Sequence, residues 1–428
     1  MKTIIRNASV VLPSGKVQET DIVIENDKIA SVGKSPEGVV YDREIDGRNK
    51  LAIPGFVNAH THASMTLLRS YADDMSLMDW LSQEIWPIEA KMQRMDIYWG
   101  AALAAVEMIQ SGTTAFADMY GPWMVEVAKI IDESGLRGAI CRAPIVTASL
   151  EGAEKTWQEN VWLYENYNGS SDGRVIVLIG AHAIYTCPPD FLHRMADSVA
   201  KLGARIHIHM SETKGEVENA KKEYGKSPFQ AIAETGYFNN GGIAAHSVYV
   251  DDEDMDIMKQ YKLYPAHNPT SNMKLASGIS PVARMLEKGI HVAIGTDGAS
   301  SNNNLDMLEE VNLAALLHKV DTLDPLAVPA FKALQMGTEY GAEALGFEDC
   351  GRIEAGCQAD IVLLNMKGAA WTPNYNPISL LVYSANSSSV DTVMVAGKVL
   401  MEHRELKTLD EEKIIYEANR CAKRLTGK

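Results

Sequence analysis

About eight apolar runs, separated by helix-patterned stretches, constrain this 428-residue chain more than any other feature. They lie near Phe56 to Val57, Thr114 to Ala117, Gly138 to Arg142, Val175 to Ala181, Ile206 to Met210, Ile243 to His246, Leu263 to His267 and His291 to Thr296. Helical patterns such as Ile97 to Gln110 and Pro189 to Lys201 lie between them. The runs are apolar throughout rather than alternating, as strands covered on both faces should be. Eight such units are the count of a (β/α)8 TIM barrel. The flanks read differently. Thr3 to Leu12, Asp21 to Glu25 and Lys28 to Val32 at the start resemble short strands split by turn residues. Ala359 to Leu364, Val390 to Val395 and Lys398 to Met401 at the end look alike, with a turn at Gly397. A charged helical pattern from Asp410 to Lys423 follows. The expected architecture is α/β, with a barrel over 55–355 and a small β-sandwich domain built from 1–54 and 356–428.

Chemistry in such a barrel sits at the C-terminal ends of the strands. Those ends carry His60, His62, Asp118, Arg142, His182, His209, His246, His267 and Asp297. Packing alone gives no reason for so many histidines and aspartates there. His60 and His62 are two apart on a strand and share a face, so both can grip one metal ion. His207 and His209 share a face in the same way, and His209 is nearer the mouth. Asp297 ends the last strand, where a closed barrel brings it beside the first. Three histidines and one aspartate offer nitrogen and oxygen donors suited to zinc, with iron or manganese also compatible. They leave a coordination position open, as a catalytic metal requires. Glu212 follows His209 by three residues and is placed to act as a general acid/base beside the metal; the other reading is a cap for the next helix. His246 is either a proton carrier or a core histidine. Arg142, ending an apolar strand, needs an anion from the substrate or from the protein itself. His267 reads as support for the site rather than as a ligand. Trp80, Trp86 and Trp123 could wall an aromatic-binding pocket, but most tryptophans at such spacing are core.

Composition narrows the partners. The net charge of −16 argues against nucleic acid, because phosphate binding needs a basic face. The five cysteines (Cys141, Cys187, Cys350, Cys357 and Cys421) form no CxxC pair, so neither a disulfide framework nor a thiolate zinc site is expected. No apolar run reaches membrane-spanning length. The start lacks the apolar core of a signal peptide. A cytoplasmic protein without membrane contact is expected.

The segments PGFVNAHTHASMTLLRSYADD (54–74), WPIEAKM (86–92), GAHAIYTCP (180–188), HIHMSET (207–213), AAHSVYV (244–250), HNPTSNMKLASG (267–278) and GTDGASSNNNLDM (295–307) occur in this order along the chain. With them the sequence resembles the amidohydrolase superfamily, and within it the 5-methylthioadenosine/S-adenosylhomocysteine deaminases. The resemblance implies one divalent metal ion held by His60, His62, His209 and Asp297. It implies Glu212, His246 and Asp297 as catalytic groups, with Glu212 and Asp297 also touching substrate. It assigns Glu89 to the ribose hydroxyls, His182 to the purine nucleoside and Arg142 to the 5′ substituent. Where some members carry a second arginine, this chain has Lys155 and Thr156. A neutral 5′ group is therefore expected to fare better than a homocysteine carboxylate. The implied reaction converts the adenine 6-amino group of a 5′-substituted adenosine to the inosine analogue plus ammonia. Guanine deaminases and triazine hydrolases are the neighbouring alternative, and a catalytically silent barrel is a more distant one. A small-molecule nucleoside substrate and a homo-oligomeric state also follow from the resemblance.

Overall fold

The computed structural model describes residues 1–35 and 38–427, so Pro36 and Glu37 of the 1–54 segment and the last residue of the 356–428 segment lie outside the described residues. Five strands come first: β1 (Lys2–Val11), β2 (Val17–Glu25), β3 (Lys28–Val32), β4 (Arg43–Asp46) and β5 (Lys50–Pro54). β1 is their hub. It pairs antiparallel with β2 along its length, parallel with β4 over Thr3 to Arg6, and parallel with β5 at Ser9 and Val10. A register shift between Ile5 and Ala8, with Asn7 at a left-handed φ of 55°, bends the strand and lets it serve two neighbours.

The barrel strands follow in two parallel ladders. One contains β6 (Phe56–Thr61), β7 (Thr113–Tyr120), β8 (Arg137–Arg142) and β9 (Val175–Val177). The other contains β10 (Ile179–Ala183), β11 (Ile206–Met210), β12 (Gly242–His246), β13 (Leu263–His267) and β14 (Ala293–Ile294). β9 and β10 are one run interrupted only at Leu178, which makes eight strands. At that seam Leu178 N donates to Ile140 O at 3.0 Å. The buried Asn160 amide bridges the gap: Oδ1 accepts from Arg142 N at 2.6 Å, and Nδ2 donates to Leu178 O at 2.8 Å. At the other seam Asp297 N donates to His60 O at 2.9 Å, and Thr296 N donates to Asn58 Oδ1 at 3.0 Å. All residues of β6 and β7 are buried, as expected for strands covered on both sides. The helix Glu339–Leu345 packs on β6, β7, β12, β13 and β14. Gly341 permits its close approach: a Cβ there would lie 2.9 Å from Val57 O.

Strand β15 (Ile361–Asn365) then returns to pair antiparallel with β5, and β16 (Val390–Val395), β17 (Lys398–Glu402) and β18 (Glu405–Leu406) extend it. One nine-stranded sheet thus draws on both ends of the chain and builds the small β-sandwich domain. Ile5, Ile22, Ile45, Ile361 and Met394 share its core.

Two particulars differ from expectation. The last barrel strand is Ala293–Ile294, not His291 to Thr296; the chain leaves the ladder there and turns at Asp297, whose φ is 63°. The closing helix, Glu411–Thr426, packs on the barrel helix Arg94–Gln110 rather than on the small sheet. Arg424 pairs with Asp96, and Lys413 Nζ lies 5.9 Å from the centre of the Trp99 ring.

Candidate active site

Strand β6 and the residue just past its end deliver His60 and His62 to one side, as the two-residue period requires. The turn after β14 brings Asp297 opposite them. Its Oδ1 lies 3.5 Å from His60 Nε2 and 3.3 Å from His62 Nε2. Strand β11 places His209 behind them, its ring centre 4.9 Å from that of His60. Two overlapping donor groups result, His60 with His62 and Asp297, and His60 with His209 and His246. In each, one ligand atom per residue lies within 4.8 Å of the others.

The donors fit a metal on a specific observation. His60 Nε2 is fully buried and has no hydrogen-bond partner, which is costly unless something coordinates it. The other nitrogens of these rings are already used. His60 Nδ1 is 2.9 Å from His207 Nε2, and His209 Nδ1 donates to His182 O at 2.8 Å. His62 Nδ1 is held by Met119 O. Such outer partners fix which nitrogen faces the ion. Burial lowers the His60 pKa to about 4, leaving its lone pair free. At His62 burial acts the same way, but the Asp297 carboxylate outweighs it and raises the pKa to about 9. Asp297 is itself pinned: Ser271 Oγ and Ser301 Oγ donate to Oδ2 at 2.6 and 2.9 Å, and Gly298 N donates to Oδ1 at 2.8 Å.

Glu212 follows β11 and is buried. The capping alternative fails here, because Thr213 caps the following helix Lys214–Tyr224 by accepting from Glu216 N. Glu212 Oε2 lies 3.7 Å from His246 Nε2, and Ser277 Oγ donates to Oε1 at 3.4 Å. Burial raises its pKa, as suits a group that must hold and release a proton. His246 ends β12 with its Nδ1 between Asn272 Oδ1 at 3.0 Å and Asn268 Nδ2 at 3.2 Å, leaving Nε2 toward Glu212.

These groups open into one cavity of about 160 Å³, which His62, His209, Glu212, His246 and Asp297 all line. Glu89, His182, Trp80 and Trp86 line it as well. Glu89 comes from the segment after β6, through a π-helical turn at Trp80–Ile85 and a short helix at Trp86–Glu89. Burial raises its pKa, opposed by a hydrogen bond from Tyr120. Burial lowers His182 to about 3, so the ring is neutral, and its Nδ1 is 2.8 Å from Thr186 Oγ1.

Arg142 stands apart. It lines a neighbouring pocket with Lys155, Glu159 and Trp123, and its guanidinium pairs with Glu159. Pro122 borders both pockets. Asp118 is buried and accepts from Ala63 N at 3.0 Å, bracing the turn after His62 rather than lining the cavity. His267 also sits behind the site, its Nε2 3.1 Å from His318 Nε2. Sequence reasoning passed over Tyr120 and Tyr185, which line the cavity. Tyr120 was within reach of the strand-end rule, since it is the last residue of β7.

Comparison with known proteins identifies the family. The chain is 49% identical to the 5-methylthioadenosine/S-adenosylhomocysteine deaminase of Pelotomaculum thermopropionicum, over 97% of this chain and 96% of that protein. It is 46% identical to the protein of the same name from Syntrophomonas wolfei, over the full length of both. A zinc-bound adenosine deaminase from Xanthomonas campestris superposes with a TM-score of 0.94 at 31% identity, covering 100% of this chain and 99% of that one. A zinc complex of atrazine chlorohydrolase from Arthrobacter aurescens shares the fold, with a TM-score of 0.91 at 24% identity over 98% of this chain and 100% of that one. Residues 51–400 match the amidohydrolase family, and the chain belongs to it.

Proposed function

We propose that this protein hydrolytically deaminates the adenine 6-amino group of 5′-substituted adenosines, such as 5′-methylthioadenosine, S-adenosylhomocysteine or adenosine, giving the inosine analogue and ammonia. One observation carries the reading. A single cavity joins a metal-type donor cluster and the Glu212–His246 pair to a half-buried carboxylate, Glu89, suited to vicinal hydroxyls. The names of the full-length relatives and of the adenosine deaminase structure support it.

His60, His62, His209 and Asp297 would hold one divalent ion, zinc by preference, with iron or manganese suited to the same donors. Bound there, the ion supplies Lewis acidity that makes a water nucleophilic near neutral pH. The chain's own groups do the rest. Glu212 takes a proton from the attacking water and delivers it to N1, so that attack at C6 builds no isolated charge on the ring. His246 and Asp297 orient the nucleophile and pass the second proton to the departing amine. Glu89 accepts hydrogen bonds from the ribose hydroxyls, and charge-assisted bonds of this kind are the strong ones. His182, neutral and fixed by Thr186, faces the nucleoside. Arg142, in the adjoining pocket beyond Pro122, would meet the 5′ substituent, and the lack of a second arginine at Lys155 and Thr156 favours an uncharged 5′ group over a carboxylate.

Loss of adenine absorbance on offering the metal-loaded protein the three nucleosides in parallel tests this. Turnover is expected, with methylthioadenosine ahead of S-adenosylhomocysteine. No turnover of any of them would overturn the reading and move the search to guanine and triazine substrates.

A further inference from the structure

Glu216 occupies a position that ordinary helix capping does not explain. Thr213-Lys214-Gly215-Glu216 has the capping-box pattern, in which the glutamate reaches back to the backbone N–H of the capping residue. Half of that box is present, since Thr213 Oγ1 accepts from Glu216 N at 3.2 Å. The Glu216 carboxylate goes further back instead. Its Oε1 accepts from Ser211 N at 3.0 Å, and its Oε2 accepts from Glu212 N at 2.8 Å. The group is buried, and no lysine or arginine pairs with it among the described residues. A buried carboxylate without a cation is expensive to keep.

What it holds is a strained turn. Ser211 has φ 48°, a left-handed conformation rare for a residue with a side chain. Its carbonyl on the other side accepts from Val248 N at 3.1 Å and Tyr249 N at 2.9 Å, in the loop that follows His246. His246 and Ser247 are themselves left-handed, with φ 71° and 47°. The 211–212 backbone is thus clamped between Glu216 and the loop carrying His246. The clamp sets where the Glu212 side chain leaves the chain, and so the approach of Glu212 to His246.

We infer that Glu216 is a positioning residue: its carboxylate grips the Ser211 and Glu212 amides and aims the Glu212 carboxyl at the reacting centre. The inference rests on the deaminase reading for its catalytic consequence and on geometry alone for the clamp. It is tested with Glu216→Gln on the metal-loaded full chain, and with Glu216→Asp, which withdraws the carboxylate by one methylene, should the first variant not fold.

Two readouts separate the possibilities. Amide hydrogen exchange at Ser211 and Glu212 needs no substrate, and the variant should exchange there at least about tenfold faster, with β11 unchanged. Turnover of adenosine or methylthioadenosine should show kcat down at least about tenfold, KM within about twofold, and metal content intact. Added to Glu212→Gln, the second substitution should cost nothing more, because both act through one carboxyl. Unchanged exchange at both amides would overturn the clamp. Faster exchange with unchanged kcat per metal-loaded site, or losses that simply add, would overturn its link to Glu212. A wild-type protein inert toward every adenosine offered would instead count against the deaminase reading and leave the exchange test to decide the clamp.

Discussion

Glu212 Oε2 and His246 Nε2 face each other at 3.7 Å inside a cavity lined by the metal-type donors. Replacing Glu212 by glutamine keeps the shape and removes the charge. Because Glu212 belongs to neither donor group, metal content should be unchanged while kcat falls by about 10²–10⁴-fold, the usual worth of a positioned proton carrier. Metal analysis beside kcat checks both halves, and near-normal kcat would remove Glu212 from the mechanism. At this scale the chain announced much of its site. His60, His62 and His209 lie at or just past strand ends, where the period of two fixes direction, and Asp297 follows the last strand toward the same mouth of the barrel. The groups that orient them were not legible. Ser271 and Asn272 lie on the short helix Pro269–Lys274 and Ser301 in a turn, and nothing local distinguishes a serine that reaches Asp297 from one that faces water. Arg142 shows the same limit. Its need for an anion could be read, but its partner Glu159 lies one helix away.

At the scale of elements, the seam between β14 and β6 carries the most consequence, because it joins Asp297 to the strand that bears His60 and His62. The two-residue β14 contributes little ladder, so the seam depends on close backbone approach at Gly295. A Cβ there would lie 2.7 Å from His60 N and 2.8 Å from His60 O, where no real Cβ fits. Gly295→Ala should therefore force β14 away from β6. We expect a stability loss of about 1–3 kcal/mol, as overpacking typically costs, together with weaker metal retention. Thermal melts and metal titration read the two effects, and an alanine variant with wild-type metal affinity would show that the seam is more compliant. The eight runs themselves were legible, since doubly covered strands are uniformly apolar. Their ends were less so. His291 to Thr296 reads as a strand by composition, yet the chain turns away to present Asp297. The break at Leu178 was invisible, because a side chain from another element, Asn160, supplies the missing ladder bonds.

Two buried ionisable clusters act on the molecule as a whole. Glu310 joins the 270 and 302 segments, accepting from Thr270 N at 3.1 Å and Asn302 Nδ2 at 2.8 Å. Burial raises its pKa to about 8, against 4.5 for a free glutamate. Between those values the folded state binds a proton that the unfolded state has lost, so stability falls as pH rises through the window and levels off above about 8. Glu310→Gln should flatten that slope in pH-dependent melts, whatever it does at the acid end; an unchanged slope would assign it elsewhere. Arg137 binds the barrel to the small domain. At the start of β8, away from the site, its Nε and Nη2 reach the two oxygens of Asp360 at 2.7 and 3.0 Å, and both residues are buried. Asp360 also accepts from Ala396 N at 2.7 Å, so one carboxylate ties β8 to the turn between β16 and β17. Asp360→Asn leaves a guanidinium buried and unpaired, which costs about 3–5 kcal/mol. Because the pair lies at the N-terminal end of the strand, where barrels place stability rather than chemistry, the surviving folded fraction should keep its kcat and metal content. A large drop in melting temperature with unchanged turnover per folded molecule is the expected pair of results. If turnover fell with stability, the small domain would be setting the geometry of the catalytic face through the barrel.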